Sequence, residues 1–439
     1  MDIKRVNKLQ NRFQTFALGS AYAPSSLNLV MFACAIMHVV IVGGGIAGVT
    51  AARTIRKNAP ESKISIFSDE KYPYYSRPRL YEILSGKAET SEIYVFSENW
   101  YERNGIELHL DKKITDIQTV QKRVTIEDGS IMEYDKLLLA NGAHPFIPPI
   151  KGIDKTGVFT LRSIKDASII KEHSRKARKI LIVGGGLLGL EFASSLVKLG
   201  QKVSVVEIFP RLLPRQLDED GAEILKGRIE RHGIEIILGV KIQEISGKDK
   251  VSGILLDNGK KLQGDLILVS AGVRSNIELA VRAEIKTNKG IIVDRYLQTS
   301  VKDIYAIGDV AEFEGRVYGI IPAAQDQAKI AAKNILKKES HIYRGTIPSS
   351  TLKIVGVDLT SIGLVNPESD KTDEIKRIEQ QGNIYRKIVL EKGRIVGAII
   401  LGTRNGITPL KRIMDQRIDV TKYRELLLKD EFDFSEISS

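Results

Sequence analysis

Two glycine-rich segments of this chain have the residue types and spacing that bind a diphosphate. Residues 43–48 read GGGIAG after the apolar strand 38–42, and residues 184–189 read GGGLLG after the apolar strand 179–183. Both fit G-x-G-x-x-G, in which the first glycine permits a tight turn, the second admits a diphosphate and the third lets a helix pack closely. Free N–H groups at the start of that helix attract the diphosphate. Two such loops predict two dinucleotides held together for hydride transfer.

An acidic residue follows each loop at the distance where this arrangement hydrogen-bonds a ribose hydroxyl. In the second copy it is Glu207, 18 residues after Gly189. In the first copy the strand runs into Asp69 and Glu70, and Asp69 lies 21 residues after Gly48. The longer spacing predicts a longer first helix with an extended turn behind it.

The two halves of the chain resemble each other well beyond the glycine loops. The matching pairs of segments are 104–108 with 232–236, 113–117 with 241–245, the turns 128–129 with 258–259, and 135–142 with 265–272. Each half is therefore predicted to contain a βαβ unit, a β-meander with a two-residue hairpin turn, and a closing buried strand. The expected fold class is α/β, with two Rossmann-like domains.

A third motif supports a family resemblance. Residues 299–309 read TSVKDIYAIGD, which predicts a short buried strand ending at Asp309. Together with the two glycine loops, this segment resembles the FAD-dependent pyridine nucleotide oxidoreductases over about residues 38–340. The resemblance implies that Asp309 accepts hydrogen bonds from the ribityl chain of FAD. It also implies that one Rossmann-like domain is inserted in the other.

The resemblance and the composition of the tail together imply a domain organisation. An N-terminal extension precedes a split FAD-binding domain, an inserted NAD(P)-binding domain and a small C-terminal α/β interface domain. The expected ranges are 1–36 for the extension, 37–147 and 275–342 for the FAD domain, 148–274 for the NAD(P) domain and 343–439 for the C-terminal domain.

Cysteine usage selects a branch of this family. The chain has one cysteine, Cys34, before the first strand, whereas thiol-based members need a thiolate beside the flavin. The corresponding segment here reads YPYYSRPRL over residues 72–80 and has no cysteine. It resembles the P-Y-x-R-P-x-L segment of rubredoxin reductases, oxygenase-coupled ferredoxin reductases and apoptosis-inducing-factor-like proteins. In that branch the arginine matching Arg77 contacts the FAD diphosphate, a role suited to a guanidinium fork.

Some positions depart from this branch. Glu82 stands where relatives often have a lysine that pairs, near the flavin, with a glutamate matching Glu191. We therefore expect Glu191 to have another partner or a raised pKa, because two nearby carboxylates resist double ionisation; the alternative is that Glu82 points to solvent. Asn141 and Phe146 replace a threonine and an arginine of relatives.

The motifs above contain the candidate site residues. Glu191 is the candidate catalytic residue, and no metal site is expected. The candidate FAD-binding residues are Gly43, Gly45, Ile46, Ala47, Gly48, Asp69, Glu70, Arg77, Lys113, Gly308 and Asp309. The candidate NAD-binding residues are Gly184, Gly186, Leu187, Leu188, Gly189, Glu207 and Gly272.

The expected cofactors are FAD and NADH. The carboxylate of Glu207 favours NADH, because the 2′-phosphate of NADPH would bring negative charge against it. Arg211 and Lys202 are expected to lie near Glu207, and Arg211 could meet that phosphate, so NADPH stays the alternative donor.

Composition narrows the function classes further. The 439 residues carry a net charge of +12, which favours an acidic electron carrier such as rubredoxin or ferredoxin steered by complementary charge; a general basic bias is the alternative. The basic residues are spread along the chain, which disfavours nucleic-acid binding. No apolar run reaches the roughly 20 residues of a membrane span. One thiol fits a cytoplasmic location.

Both ends of the chain differ from its middle. Residues 1–36 combine basic residues with an apolar patch, and we expect an over-extended start or a dispensable arm rather than a signal peptide.

The sequence of the tail predicts strand-like alternation over 349–362, a hairpin of 384–390 with 394–401, and helices over 409–414 and 420–428. Relatives use such a domain in dimerisation, so a homodimer is allowed. With no cysteine-rich extension, we expect the tail to disfavour a nitrite reductase large subunit.

The function expected from these features is electron transfer from NADH through FAD to a small carrier protein or another non-thiol acceptor. Two alternatives stay open at this stage. One is an NADH oxidase that reduces oxygen at the same two sites. The other is a redox-sensing interaction protein like apoptosis-inducing factor.

Overall fold

The computed structural model describes residues 36–354, 356–368, 371–379, 384–429, 432 and 434–437. The expectation about the N-terminal arm, and the position of Cys34, fall outside this described part. The elements below belong to the unit Met37–Ser439.

Nine α-helices and 25 β-strands are assigned within the described residues. The helices are α1 Ile46–Asn58, α2 Leu80–Leu84, α3 Glu98–Arg103, α4 Ile164–Ser174, α5 Leu187–Lys198, α6 Glu219–Arg231, α7 Glu278–Arg282, α8 Ile321–Leu336 and α9 Ile407–Gln416. The strands up to the middle of the chain are β1 His38–Val42, β2 Lys63–Phe67, β3 Ile106–His109, β4 Ile114–Gln118, β5 Arg123–Ile126, β6 Ile131–Glu133, β7 Lys136–Leu139, β8 Ala143–Pro145, β9 Val158–Thr160, β10 Lys179–Val183, β11 Lys202–Glu207 and β12 Ile234–Leu238. The later strands are β13 Ile242–Ser246, β14 Gly253–Leu256, β15 Lys261–Gln263, β16 Leu266–Val269, β17 Val273–Ser275, β18 Ile291–Val293, β19 Ile304–Ala306, β20 Ala311–Phe313, β21 Ser349–Ile354, β22 Val357–Gly363, β23 Thr372–Glu379, β24 Ile384–Glu391 and β25 Arg394–Leu401.

The first parallel sheet has the strand order β19-β7-β1-β2-β3. Its central strand β1 reads HVVIV and is buried along nearly all its length, as expected of a parallel strand covered on both faces. Helices α1 and α8 pack against each other beside this sheet. Because β19 comes from residues 304–306, this domain is built from two separated parts of the chain.

The second parallel sheet, β12-β11-β10-β16-β9, repeats the same arrangement inside that interruption. Each half also carries a three-stranded antiparallel meander, β4-β5-β6 in the first and β13-β14-β15 in the second. The two chain crossings between the domains pair with each other as the antiparallel strands β8 and β17. The predicted fold class, with one Rossmann-like domain inserted in the other, is confirmed.

The C-terminal domain is a five-stranded antiparallel sheet, β21-β22-β25-β24-β23, with helix α9. The predicted hairpin is present as β24 and β25, and α9 extends the predicted helix by two residues at each end. The strand-like alternation over 349–362 is confirmed as two antiparallel strands, because the chain reverses at Gly356, whose φ is +78°. The helix expected over 420–428 was wrong, since a short 3-10 turn, Thr421–Tyr423, is assigned there instead.

Candidate functional site

The outer glycines of both loops are required by close backbone contacts. Gly43 has φ +115°, and a Cβ there would lie 2.2 Å from the Ala140 carbonyl oxygen. Gly184 has φ +110°, and its Cβ would lie 2.3 Å from the Ser270 carbonyl oxygen. The third glycines, Gly48 and Gly189, would place a Cβ 2.1 and 2.3 Å from the carbonyl oxygen of the first glycine of their own loop. These four positions accept only glycine, because the clashing atoms are backbone.

The middle glycines face open space instead. A Cβ added to Gly45 or to Gly186 would have no heavy atom within 4 Å. Each is the N-cap of the following helix, α1 or α5, and neither makes a side-chain capping hydrogen bond. The first N–H groups of a helix have no intrahelical partner. Both loops therefore present free backbone N–H donors next to unoccupied space. This cradle fits a dinucleotide diphosphate at both sites. Ile46 and Ala47 begin α1, and Leu187 and Leu188 begin α5.

The end of segment 299–309 lies against the first glycine loop. Gly308 has φ +75°, and a Cβ there would come within 3.0 Å of the Ala47 Cβ. The Gly308 N–H donates to the Gln327 side-chain oxygen at 2.7 Å, which holds this turn in place. Asp309 follows, and its Oδ2 accepts a 2.9 Å hydrogen bond from Arg162. The structure therefore brings two distant sequence motifs to one site.

Two arginines are joined beside this motif. Arg77 Nη2 donates to Glu70 Oε1 at 2.6 Å, and Arg77 Nη1 donates to the Arg162 carbonyl oxygen at 2.7 Å. Burial alone lowers the pKa of Arg77, but the neighbouring Tyr75 and Glu70 outweigh it and raise the pKa, so the guanidinium stays charged. The Arg162 Nε and the Asn141 Oδ1 are buried without a hydrogen-bond partner. Such orphaned polar atoms in a cleft are expected to meet a bound ligand.

Sequence reasoning missed Arg162. It follows strand β9 of the inserted domain, yet it pairs with Asp309 of the first domain. The available signal was a lone arginine after an apolar strand, which is too common to select a residue.

The acids after the second strand are not equivalent in the two halves. The Gly43 N–H donates to the Phe67 carbonyl, and the Gly184 N–H donates to the Val206 carbonyl, both at 2.8 Å. Ser68 therefore occupies the position of Glu207, and Asp69 lies one residue beyond it. Three extra residues separate glycine loop and acid in the first half: one in helix α1, one in its turn, and one after the strand.

The acids of the first half make other contacts. Asp69 is exposed, and Glu70 is paired with Arg77 and accepts the Tyr75 hydroxyl at 2.5 Å. Lys113 is exposed at the start of the meander, where its carbonyl accepts the Glu127 N–H at 2.9 Å. The FAD roles of Asp69, Glu70 and Lys113 stay predictions.

Glu207 is buried, at 7% exposure, directly under the second glycine loop. Its Oε2 accepts the Gly185 N–H at 2.6 Å, and its Oε1 accepts the Phe209 N–H at 2.9 Å. Arg211 lies on the loop after it, and its Nε is buried without a partner. The expectation that Lys202 is near Glu207 was wrong, since these residues begin and end β11 and are separated by about 16 Å of extended strand.

Glu191, on helix α5, carries a strongly shifted carboxyl group. Burial raises the pKa of Glu191 to about 7. The raised pKa was expected to come from a neighbouring carboxylate, Glu82, and this cause was wrong, because burial raises it. Glu82 instead accepts two hydrogen bonds from Arg79, at 2.9 and 2.7 Å, which lower the pKa of Glu82. The alternative, that Glu82 points to solvent, was also wrong, because its side chain is only 19% exposed. Tyr81 lies between the two acids, and the pKa of Tyr81 is raised by burial and by both carboxylates.

The two chain crossings between the domains, around β8 and β17, carry further candidate residues. Gly272 has φ +100°, a Cβ there would meet no atom, and its carbonyl accepts the Phe146 N–H at 2.9 Å. The guanidinium of Arg274 lies 4.3 Å over the Phe146 ring. A cation from β17 thus packs on the side chain that stands at position 146. Asn141 and Asn276 exchange two side-chain-to-carbonyl hydrogen bonds, at 2.8 and 2.6 Å.

Among the described residues, no group of histidine, cysteine, aspartate and glutamate side chains could hold a metal ion. In the same residues, no helix combines the length and apolar character needed to cross a bilayer.

Comparisons with known proteins agree with this geometry. Residues 37–328 match the family described as pyridine nucleotide-disulphide oxidoreductase, and residues 348–418 match the rubredoxin NAD+ reductase C-terminal domain. Among solved structures, a ferredoxin reductase from Rhodopseudomonas palustris has a TM-score of 0.83 at 26% identity, covering 92% of this chain and all of that one.

Two curated relatives illustrate the range of similar proteins. The NADH-rubredoxin oxidoreductase of Clostridium acetobutylicum is 32% identical, covering 86% of this chain and 94% of the relative. A nitrite reductase of Bacillus subtilis is 37% identical, covering 88% of this chain. The chain spans about half the length of that relative, 48%. The predicted branch is confirmed by the rubredoxin-reductase matches. The family brings FAD and NAD(P)H as its cofactors, and the chain belongs to the pyridine nucleotide-disulphide oxidoreductase family.

Proposed function

We propose that this protein passes electrons from NADH through FAD to a small electron-carrier protein of the rubredoxin or ferredoxin type. The observation that carries the proposal is the pair of open diphosphate cradles, at Gly45 and Gly186, each beside the central strand of a five-stranded parallel sheet. FAD accepts hydride from a nicotinamide and can release electrons singly, which is the chemistry that the bound cofactor supplies. With its one cysteine at position 34, before β1, the cofactor domains have no thiol for a disulfide mechanism.

The first cradle is assigned to FAD. The Arg162 guanidinium is bonded to Asp309, which follows the Gly308 turn packed on the first loop, and Arg77 is bonded to the Arg162 carbonyl. These two guanidinium groups would supply positive charge for the diphosphate. Asn141 Oδ1 and Arg162 Nε are the buried atoms that a bound flavin nucleotide would satisfy. The Asp309 carboxylate is held by Arg162 on one oxygen, which leaves the other free to accept from the ribityl chain.

The second cradle is assigned to NADH. Glu207 already accepts two backbone N–H bonds, which fix its carboxylate under the loop. Each oxygen keeps a further lone pair for a ribose hydroxyl. The negative charge, held in a buried place, disfavours the 2′-phosphate of NADPH.

Glu191 is the candidate catalytic residue of this proposal. It extends from the helix that begins at the NADH loop, and its neighbour Tyr81 belongs to the segment after Arg77. A carboxyl with a pKa of about 7 exchanges a proton near neutral pH without a large energetic cost. Its proposed role is to take up or release a proton in the space between the two cofactors, because it is about half ionised at neutral pH.

The partner part of the proposal rests on charge and on the C-terminal domain. A chain of net charge +12 attracts an acidic carrier and accelerates its association. The match of residues 348–418 to the rubredoxin reductase C-terminal domain favours the same partner class. A cytoplasmic location belongs to the proposal as well, since one cysteine allows no disulfide within the chain. A homodimer through the C-terminal domain is also part of the proposal.

A second candidate function is supported by the Bacillus subtilis nitrite reductase, which matches at 37% identity over half of its own length. In that case this chain would supply electrons from NADH to a separate nitrite-reducing centre. The same FAD and NADH sites would serve, and only the acceptor would differ.

The experiment is an anaerobic half-reaction. The FAD-loaded protein is reduced with NADH and then mixed with rubredoxin, ferredoxin or air, and the flavin absorbance is followed. Reoxidation by a carrier at least tenfold faster than by air supports the proposal. Fast reoxidation by air supports an oxidase, and a long-lived long-wavelength band supports a redox sensor. Either of the last two results would overturn the carrier assignment.

A further inference from the structure

The loop that follows Glu207, residues 208–218, forms one wall of the second nucleotide cradle. Its Phe209 N–H donates to Glu207. Its Leu212 is fully buried, and a Cβ built on Gly185 would lie 2.7 Å from Leu212 Cδ2. This segment, here named the ribose loop, therefore contacts both the glycine loop and the acid that are assigned to NADH.

The far side of the ribose loop is held by the C-terminal domain. The Asn366 amide donates to the carbonyl oxygens of Pro214 and Leu217, both at 3.0 Å. The Tyr385 hydroxyl donates to Asp218 Oδ2 at 2.6 Å, at a buried position. Each of these contacts joins positions about 150 residues or more apart in sequence.

Asp218 is the centre of this attachment. It caps helix α6 by accepting the Gly221 N–H at 3.1 Å. The ammonium groups of Lys376 and Lys387 lie 2.9 and 3.4 Å from its Oδ2. These contacts lower the pKa of Asp218 against the opposing effect of burial. A paired buried carboxylate fixes the end of the ribose loop more firmly than a solvated one would.

The conformation of the ribose loop depends on this packing. Leu213 has φ +49°, a left-handed backbone conformation that costs a non-glycine residue on the order of 1–2 kcal/mol. Its side chain is buried in the same hydrophobic cluster as Leu352 and Val365 of the C-terminal domain. Such strain persists only where surrounding contacts hold it.

We infer that Asn366 and Tyr385 are positioning residues for the nicotinamide dinucleotide site. They hold the ribose loop so that Leu212 supports the glycine loop and Glu207 faces the ribose. Nucleotide affinity is thus set in part from a different domain. The inference rests on the proposed assignment of the second cradle to NAD(P)H.

The test compares FAD-loaded wild type with Asn366→Ala and Tyr385→Phe, and measures the Kd for NAD+ by calorimetry. Losing two hydrogen bonds to the loop should weaken binding about five- to tenfold, and losing one about two- to fivefold. KM for NADH should rise in parallel while kcat changes less than twofold. Backbone amide exchange over residues 208–218 should become faster in both variants.

Arg404→Ala is the matched control, because Arg404 binds Asp358 within the C-terminal domain at 2.9 Å. It should leave the Kd within twofold of wild type. Tyr385→Phe keeps the buried ring, so it reports on the hydroxyl even where Asn366→Ala lowers stability. Unchanged Kd values in both variants, with wild type binding NAD+ normally, would overturn this inference alone. A wild type that binds no NAD+ would overturn the proposed function instead.

Discussion

Toward the amino ends of their parallel strands, the two Rossmann-like halves share a hydrogen bond from a buried serine to a glutamate. In the first half, Ser65 Oγ donates to Glu107 at 2.7 Å and lies 2.9 Å from His38 Nε2. In the second half, Ser204 Oγ donates to Glu235 at 2.6 Å. Both serines are fully buried.

The remaining members of these clusters correspond in sequence position but not in every contact. Lys179, at the position of His38, donates from its Nζ to Glu235 at 3.1 Å. In the first half His38 contacts the serine instead, and Lys63 pairs with Glu107 at 3.3 Å. The carboxylates of Asp135 and Asp265 each accept a backbone N–H at 2.7 Å, from His38 and from Arg178. The end of each sheet opposite the glycine loops therefore has similar polar side-chain contacts in both halves.

At the carboxyl ends of the strands the two halves differ. Ser68 stands at the position of Glu207, and Thr50 stands at the position of Glu191, two residues after the last glycine of the loop. The scaffold is repeated, whereas the groups that meet a ligand are not. Two copies of one fold can therefore hold two different dinucleotides, because affinity for the diphosphate resides in the backbone and selectivity resides in a few side chains.

The largest expected effect separates the two cradles. Both Gly45 and Gly186 have extended φ and ψ angles that valine adopts, and neither Cβ would meet another atom. We expect Gly45→Val to fold but to lose its flavin, from about one FAD per chain to nearly none, because the side chain fills the diphosphate space. Gly186→Val should keep its flavin, which NADH should then fail to reduce.

Flavin absorbance at the visible maximum, before and after anaerobic NADH, measures both outcomes. Full flavin retention in Gly45→Val would contradict the assignment of the first cradle. Flavin loss in Gly186→Val but not in Gly45→Val would mean that the two cofactors are exchanged.

The next effect concerns the carboxyl group that only the second half carries. Burial raises the pKa of Glu191 to about 7, above its value in an unfolded chain. Between these two pH values only the folded protein holds the proton, so the free energy of unfolding falls as the pH rises from about 4.5 to 7. Glu191→Gln should remove this fall and be more stable above pH 7 by up to about 3 kcal/mol.

Denaturant unfolding of wild type and variant at about pH 5 and pH 8 tests this expectation. Glu172→Gln, which alters an exposed glutamate on α4, is the control and should behave as wild type. The same loss of stability at high pH in Glu191→Gln would show that another group titrates.

A smaller effect is expected on the choice of donor. Glu207→Gln keeps the size of the side chain and an acceptor oxygen but removes the charge that opposes the 2′-phosphate. The kcat/KM ratio of NADH to NADPH should favour NADH in wild type and fall about tenfold in the variant, which corresponds to about 1.4 kcal/mol. Ser68→Ala, at the matching position of the first half, should leave the ratio unchanged. Preference of wild type for NADPH would remove Glu207 as the selector.

The smallest effect tests the shared contacts at the amino ends of the strands. Ser65→Ala and Ser204→Ala each remove a buried hydroxyl that donates to a partly exposed carboxylate, and Ser65→Ala also removes the contact with His38 Nε2. Each substitution should cost about 1–2 kcal/mol of local stability. Hydrogen exchange of β2 and of β11, measured in the same sample, reports the two halves separately. Faster exchange in one half only would show that the two matching serine contacts do not contribute equally to stability.

Much of this protein could be predicted from residues that are close in sequence. The glycine loops, the apolar strands and Glu207 lie within segments of about 30 residues, and their conformation follows from local requirements for positive φ, close approach and burial. The fold class, the family and the second cradle were therefore predictable. The repeat also matched the segments that contain Glu107 and Glu235, although not the contacts of these acids with Ser65 and Ser204.

Only the tertiary structure decided which distant groups meet. Arg162 reaches Asp309 across 147 residues, and Asn366 reaches Leu217 across 149 residues. The correspondence of Ser68 with Glu207 depends on strand register, and the pKa of Glu191 depends on burial between two helices rather than on Glu82. Sequence spacing specifies local backbone geometry, but desolvation and long-range pairing are properties of the packed domains, so no local pattern encodes them.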